Sequence, residues 1–201
     1  AESIGRKEYT MKKTILTILM IAAAITTAAA QPRAAGIRIG ATGLDASYQH
    51  TMNSTQFIGA DIGLDFGYNA NGYSGVKATA IYNFVWARPA WTNKGSWGIY
   101  SGPGISLGYV NDIMPYTVGN VTTGYLDGGF MFAIAAQVGL EYTFWFPLQL
   151  SLEIRPLLGL HANDGRMRIP ELDTTVHYES KVGFYDNGLL GFAPTLTVRY
   201  R

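Results

Sequence analysis

The chain of 201 residues contains no cysteine, and only 14% of it is charged. The first absence removes disulfide frameworks and thiolate metal centres. The second leaves little more than half the charge of an ordinary soluble globule, in which about a quarter of residues are Asp, Glu, Lys or Arg. A field of one sign is missing too: with a formal net charge of +1 there is no basic stripe to hold nucleic acid and no acidic tail. Past Gln31 no stretch of eighteen apolar residues occurs, so no transmembrane helix is expected there. No pair among His50, His161 and His177 has metal-ligand spacing, and no glycine-rich phosphate loop opens a helix; neither metal nor cofactor is expected. What is plentiful is glycine (24) and aromatic side chain (Tyr 13, Phe 9, Trp 4), with 48% hydrophobic residues at a mean hydropathy of only +0.08. That balance implies an amphipathic, two-faced structure.

The first thirty residues read as a leader. Met11-Lys12-Lys13 is a basic start, Thr14–Thr27 an apolar run, and Ala28-Ala29-Ala30 a small-residue site, the three parts of a secretory signal. Cleavage is expected after Ala30, and residues 1–10 are expected to be an upstream extension of no function. Beyond the leader stand 11 basic and 12 acidic residues, so residues 31–201 are close to neutral. Export without cysteine fits the envelope of a Gram-negative bacterium.

Residues 31–201 are dominated by a period of two. Ile58, Ala60, Ile62, Leu64, Phe66 and Tyr68 alternate with Gly59, Asp61, Gly63, Asp65 and Gly67, the signature of a strand with one apolar and one polar or small face. The pattern returns at Val76–Trp86, Trp97–Tyr109, Ala136–Phe144, Leu148–Ile154 and Phe192–Tyr200, and in two shorter runs at Ala35–Ala41 and Leu44–His50. Eight strands near the ~9–11 residues of a tilted membrane crossing predict an all-β, eight-stranded, antiparallel up-and-down transmembrane β-barrel. Glycines crowd the polar face (Gly59, Gly63, Gly98, Gly102, Gly104, Gly139), as a narrow interior demands. The charges on that face nearly cancel: Arg38, Lys77, Arg155 and Arg199 against Asp45, Asp61, Asp65, Glu141 and Glu153. The apolar face is therefore expected to meet lipid and the polar face to fill the lumen.

Connection lengths set the expected topology. Phe146-Pro147 is almost a direct turn, whereas Asn111–Gly129 and Ala162–Gly188 are long and polar, and such barrels put short turns in the periplasm and long loops outside. Both chain ends then come out periplasmic. Phe84, Trp86, Trp91, Trp97, Phe144, Trp145 and Tyr200 all fall toward that side, where they are expected to form one aromatic girdle.

The run Pro147–Pro156, the segment Ser47-Tyr48-Gln49-His50, Gly102-Pro103-Gly104 and the closing Thr197–Arg201 resemble the small outer-membrane β-barrel proteins of Bacteroidetes, which are similar in architecture to OmpX/OmpA-type barrels. The resemblance covers residues 31–201. It implies residence in the outer membrane, contact with the lipid bilayer and lipopolysaccharide, delivery by the outer-membrane insertion machinery, and a monomer. Members usually end in an aromatic residue; here Arg201 follows Tyr200.

An eight-stranded barrel is only wide enough for its own side chains, which argues against a diffusion porin. Charges in that space must be paired, because an uncompensated buried ion costs several kcal/mol. The expected lumen network is Arg38, Asp61, Asp65, Lys77, Glu141, Glu153, Arg155 and Arg199, with Glu141 and Glu153 salt-bridged to Arg155 and Arg199. Pro103 stands in the lipid-facing register inside a strand, where a bulge or a gap in pairing is expected. The loop bearing Arg166, Arg168, His177, Tyr178, Phe184 and Tyr185 mixes charge and aromatics and is the candidate surface for a protein partner or lipopolysaccharide headgroups, and within it Thr174–Tyr178 is expected to extend the barrel strands as a hairpin. The expected function is a structural or surface-interaction protein acting through its outer loops. A second reading is a lipid A deacylase-like enzyme using the inward His161 with a lumen carboxylate; a third is a small-solute channel.

Overall fold

A computed structural model describes residues 33–66, 75–118, 121–163, 166–169, 174–177 and 182–201; at 33 and over 112–118, 121–127, 166–169 and 174–177 it describes the backbone alone. The expected extension 1–10 and leader 11–30, Tyr68, Tyr178 and the turn Asn69–Gly72 lie outside the described residues.

The strands among the described residues are β1 (Arg33–Gly40), β2 (Gly43–Asn53), β3 (Gln56–Asp65), β4 (Gly75–Ala87), β5 (Ser96–Val118), β6 (Val121–Thr143), β7 (Leu148–Ile154), β8 (Leu157–Asn163), β9 (Arg166–Ile169), β10 (Thr174–His177), β11 (Val182–Phe184) and β12 (Thr195–Tyr200). From β1 to β7 each strand pairs antiparallel with its sequence neighbour, and β12 pairs with both β7 and β1. The sheet therefore closes on itself as an eight-stranded antiparallel barrel without free edges around its waist.

β7 and β8 share one wall position. Both pair with β6 in a single register, Ile154 opposite Val138 and Leu157 opposite Ala135, and are separated only by Arg155-Pro156. Proline has no N–H for the ladder, but the Pro156 carbonyl still accepts from the Ala136 amide at 3.2 Å. β11 and β12 share the last position, pairing with β8 and β7 respectively. They are split by a 3-10 helix, Asp186–Phe192, held to the wall where the Arg155 amide donates to the Gly191 carbonyl at 2.8 Å. The strand expected to begin at Phe192 thus begins at Thr195, and Phe192 is helical.

The period-two reading of the faces holds. Ile37, Ile62, Val76, Ile134, Leu152 and Val198 point outward and are exposed, while Arg38, Asp61, Lys77, Glu153 and Arg199 are buried inside. Part of the interior is apolar instead: Ile81, Val110, Met131, Ala133, Ala135, Leu157 and Tyr185 pack as one cluster.

One expected loop is corrected, and the other holds the hairpin strand expected at Thr174–Tyr178 as β10, Thr174–His177. Asn111–Gly129 is strand, β5 and β6 pairing without interruption out to Val118 opposite Val121, although β4 leaves β5 at Tyr109 and β8 leaves β6 at Gly129. β5 from Asp112 to Val118 and β6 from Val121 to Asp127 thus run on as a paired two-stranded extension past β4 and β8. Ala162–Gly188 likewise contains the paired β9 and β10, and β11 rejoins the wall.

At Pro103 the expected interruption takes the form of a gap. β4 and β5 pair at Ile81–Gly104 and again at Phe84–Ser101 in one register, skipping Pro103 and Gly102, while the β6 side of the strand pairs throughout. A register shift does occur in β4, but at Val85 to Ala87.

Candidate functional site

The barrel waist is organised around Glu153. On an isolated strand this residue would be one carboxylate among many; closure of the wall surrounds it with three guanidinium groups. Its Oε1 accepts from Arg199 Nη2 at 3.1 Å and from the Tyr100 hydroxyl at 2.8 Å. Its Oε2 lies 3.4 Å from both Arg38 Nε and Arg155 Nη2. Each arginine has a further partner. Arg38 Nη1 donates to Asp45 at 2.8 Å, straight across the β1–β2 ladder. Arg155 pairs with Asp61 and gives its Nε to Gln137 Oε1 at 2.7 Å. Arg199 donates to Ser47 and Ser151, each at 3.0 Å. Guanidinium forks suit such a site because their fixed donors can serve several acceptors at once.

A second, smaller pair lies nearer the hairpin end. Lys77 Nζ donates to Asp65 Oδ1 at 2.6 Å and to the Thr42 carbonyl. Asn187 of the 3-10 helix reaches the same level, donating to the Asn111 carbonyl at 2.8 Å. Every member of the expected network is therefore inside the barrel, and seven of the eight are ion-paired. Glu141 is the correction. It forms no ion pair among the described residues; its Oε2 accepts from Gln149 Nε2 at 2.7 Å instead. Neighbouring strands bring Glu141 opposite Ser151, while Arg199 is already committed to Ser47, Ser151 and Glu153.

Sequence reasoning passed over Tyr100, Asp45, Gln137, Gln149, Ser47 and Ser151 as network members, although all share the inward parity of their strands. Tyr100 shows why glycine is needed beside it. It lies directly opposite Gly139, which in turn lies opposite Glu153, so the tyrosine crosses β6 over a residue without a side chain to reach its acceptor. A Cβ on Gly139 would come within 2.4 Å of Tyr100 Cζ. Gly139→Ala should therefore push Tyr100 off Glu153 and cost about 1–3 kcal/mol of stability, measured as a lowered urea midpoint. A mutant as stable as the parent would show that Tyr100 has another position available.

Of the seven aromatics expected as a girdle, Trp91, Trp97, Phe144 and Trp145 fall in one chain of rings at the end bearing the short turns. Trp91 meets Trp97 at 5.3 Å between ring centroids, Trp97 meets Tyr142 at 4.7 Å, Tyr142 meets Phe144 at 4.6 Å, and Phe144 meets Trp145 at 6.0 Å. Tyr142 and Phe146 join this chain of rings without having been singled out. Farther round, Phe84 packs on Tyr82, Trp86 donates its indole N–H to Ser101 Oγ at 2.7 Å, and Tyr200 stands exposed.

The candidate contact loop is divided by the structure. Arg166 and Arg168 lie on β9 and His177 on β10, with Arg166 opposite His177. Phe184 is exposed on β11, but Tyr185 is fully buried and belongs to the interior apolar cluster. Tyr185 is thus removed from the surface set; it follows Phe184 by one residue and takes the opposite face of the wall. His161 occupies the inward register as expected, wholly buried on β8 between Met131 and Gly183.

Comparison with protein-family models, with curated proteins and with solved structures returns no match for this chain.

Proposed function

We propose that this protein is an integral outer-membrane β-barrel with a filled lumen, serving as a structural or surface-interaction element through the hairpins at its long-loop end. The observation that carries the reading is the inversion of the wall. Large apolar side chains stand exposed on strand after strand around a closed barrel, while the ion-paired groups are sealed within. In water such a surface would far exceed the few hundred Å² of contiguous apolar patch that monomers tolerate. A hydrocarbon surrounding makes it favourable, and the ring of indoles and phenyl groups at one end suits the headgroup level. The backbone logic agrees, since a closed barrel satisfies its own N–H and C=O groups. The paired extension of β5 (Asp112–Val118) and β6 (Val121–Asp127) beyond β4 and β8 supplies the surface that would meet lipopolysaccharide or another protein.

The absence of native cysteine permits a clean test. A solvatochromic fluorophore on Ala78→Cys, refolded into phosphatidylcholine vesicles, should emit at apolar wavelengths and be quenched by bromine on the acyl chains. Emission characteristic of bulk water would remove the membrane reading. The same preparation should migrate differently on gels with and without boiling. Planar-bilayer recordings should show no steady conductance, because the waist is occupied by Glu153 and its arginines; stable single-channel steps would overturn the filled-lumen assignment.

A further inference from the structure

Among the described residues, the turn end of the barrel carries exposed positive charge and no exposed acidic side chain. Asp45, Asp61, Asp65, Glu141 and Glu153 are buried in the lumen, and the other acids, Asp112, Asp127 and Asp186, belong to the opposite end. Arg88 and Lys94 are both exposed, and neither has an ion-pair partner among the described residues. The connection that bears them is held in place. Arg88 Nη2 donates to the Ser54 carbonyl at 2.9 Å, and the Tyr142 hydroxyl donates to the Lys94 carbonyl at 2.7 Å. Gly95 then turns the chain at a φ of +74°, where a Cβ would lie 2.6 Å from the Thr143 carbonyl oxygen. This anchoring leaves Lys94 Nζ 5.6 Å from the centre of the Trp145 ring, within cation–π range.

All four tryptophans of the chain, Trp86, Trp91, Trp97 and Trp145, stand at this same end. Indoles in such a belt mark the headgroup level of a bilayer, so cations set among them lie where lipid phosphates lie. A zwitterionic headgroup brings its own ammonium to that depth, whereas an anionic one brings the charge that Arg88 and Lys94 lack. A guanidinium and an ammonium each carry several donors suited to phosphate oxygens. We infer that the turn-end rim of the barrel selects anionic glycerophospholipid, its phosphate taken by Arg88 and Lys94 while the indoles pack on the glycerol and the upper acyl carbons. The inference rests on the outer-membrane reading. It adds a lipid preference at the end opposite the one proposed to meet lipopolysaccharide.

The test refolds the full chain into phosphatidylcholine vesicles and quenches its tryptophan emission with phosphatidylglycerol or phosphatidylcholine brominated on the acyl chains, mixed in at equal fractions. Since every tryptophan is at the turn end, quenching reports that rim alone. The binding constant for phosphatidylglycerol relative to phosphatidylcholine should be about fivefold or more, the effect of at least one basic side chain beside an anionic surface. Arg88→Gln combined with Lys94→Gln should bring the ratio to unity. Arg166→Gln, which removes a cation on β9 at the opposite end, should leave it as in the parent. Brominated phosphatidylcholine by itself reports insertion: no quenching there would remove the membrane reading and this inference with it. Quenching with a ratio of unity in the parent would overturn the inference alone. So would an undiminished ratio in the double variant, or an equal fall in Arg166→Gln. Displacement of phosphatidylglycerol by inorganic phosphate at matched ionic strength would make the rim a site for a soluble anion, and the lipid assignment would fail.

Discussion

Replacing Glu153 by glutamine should cost the folded barrel about 3–5 kcal/mol, seen as a large drop in urea midpoint. The substitution preserves shape and removes one charge, yet that charge is shared by Arg38, Arg155 and Arg199, all buried. Arg38 and Arg155 keep Asp45 and Asp61; Arg199 is left with only the serine hydroxyls of Ser47 and Ser151. The penalty is thus mainly an orphaned guanidinium in a low-dielectric interior. Glutamine can still accept the Tyr100 hydroxyl through its carbonyl, so the loss of that bond is not what is being measured. The control is Glu141→Gln. It deletes an acid with no ion-pair partner among the described residues and should be neutral or stabilising in the same assay. Equal losses at the two positions would mean that the lumen responds only to total charge, and the hub role of Glu153 would be wrong.

The contrast between these two glutamates marks how far the sequence could be read. Parity along a strand places Glu141 and Glu153 on the same face, because successive residues alternate sides with no exceptions short of a bulge. It does not say which guanidinium, on which strand across the lumen, will arrive first. Arg199 and Glu153 are 46 residues apart, and Arg155 and Asp61 are 94 apart. Those meetings are set by the stagger of the closed wall, which no local pattern encodes. The same limit explains the paired extension of β5 and β6. Alternation is legible where one face is greasy and the other polar; past the closed wall both faces of β5 and β6 lose that contrast, and Asn111 through Gly129 reads as loop while remaining paired. Pro156 and the 3-10 helix at Asp186–Phe192 broke two strands for a related reason. Around Pro156 the pairing with β6 keeps one register, whereas across the helix the register changes, Phe184 lying opposite Leu160 but Thr195 opposite Glu153; in both places the wall position continues although the local pattern stops. The interior apolar cluster was hidden because Met131 and Ala133 lie on the stretch of β6 assigned to loop or left unassigned, and because Ile81 and Leu157 break the polar pattern of the inward face.

Ile134→Arg separates the two environments that the apolar wall could face. Ile134 is 59% exposed on β6, paired with Ile105 on one side and Leu158 on the other, and lies near mid-height between Thr143 and Gly129. In water, an arginine at so exposed a position changes stability by about 0.5 kcal/mol or less, since its side chain is solvated in both folded and unfolded chains. In a bilayer the same change places a guanidinium close to the midplane and should cost about 2–4 kcal/mol, falling toward zero as the site is moved to the aromatic end. Tyr200→Arg, at the turn end, is the matched position for that fall. Folding into vesicles of defined thickness, titrated with urea, gives both numbers in one series. A steep dependence on height is what hydrocarbon imposes. A flat one, with Ile134→Arg and Tyr200→Arg equally harmless, would mean that the exposed isoleucines, leucines and valines of this wall are covered by something other than lipid, and the outer-membrane assignment would fall with it.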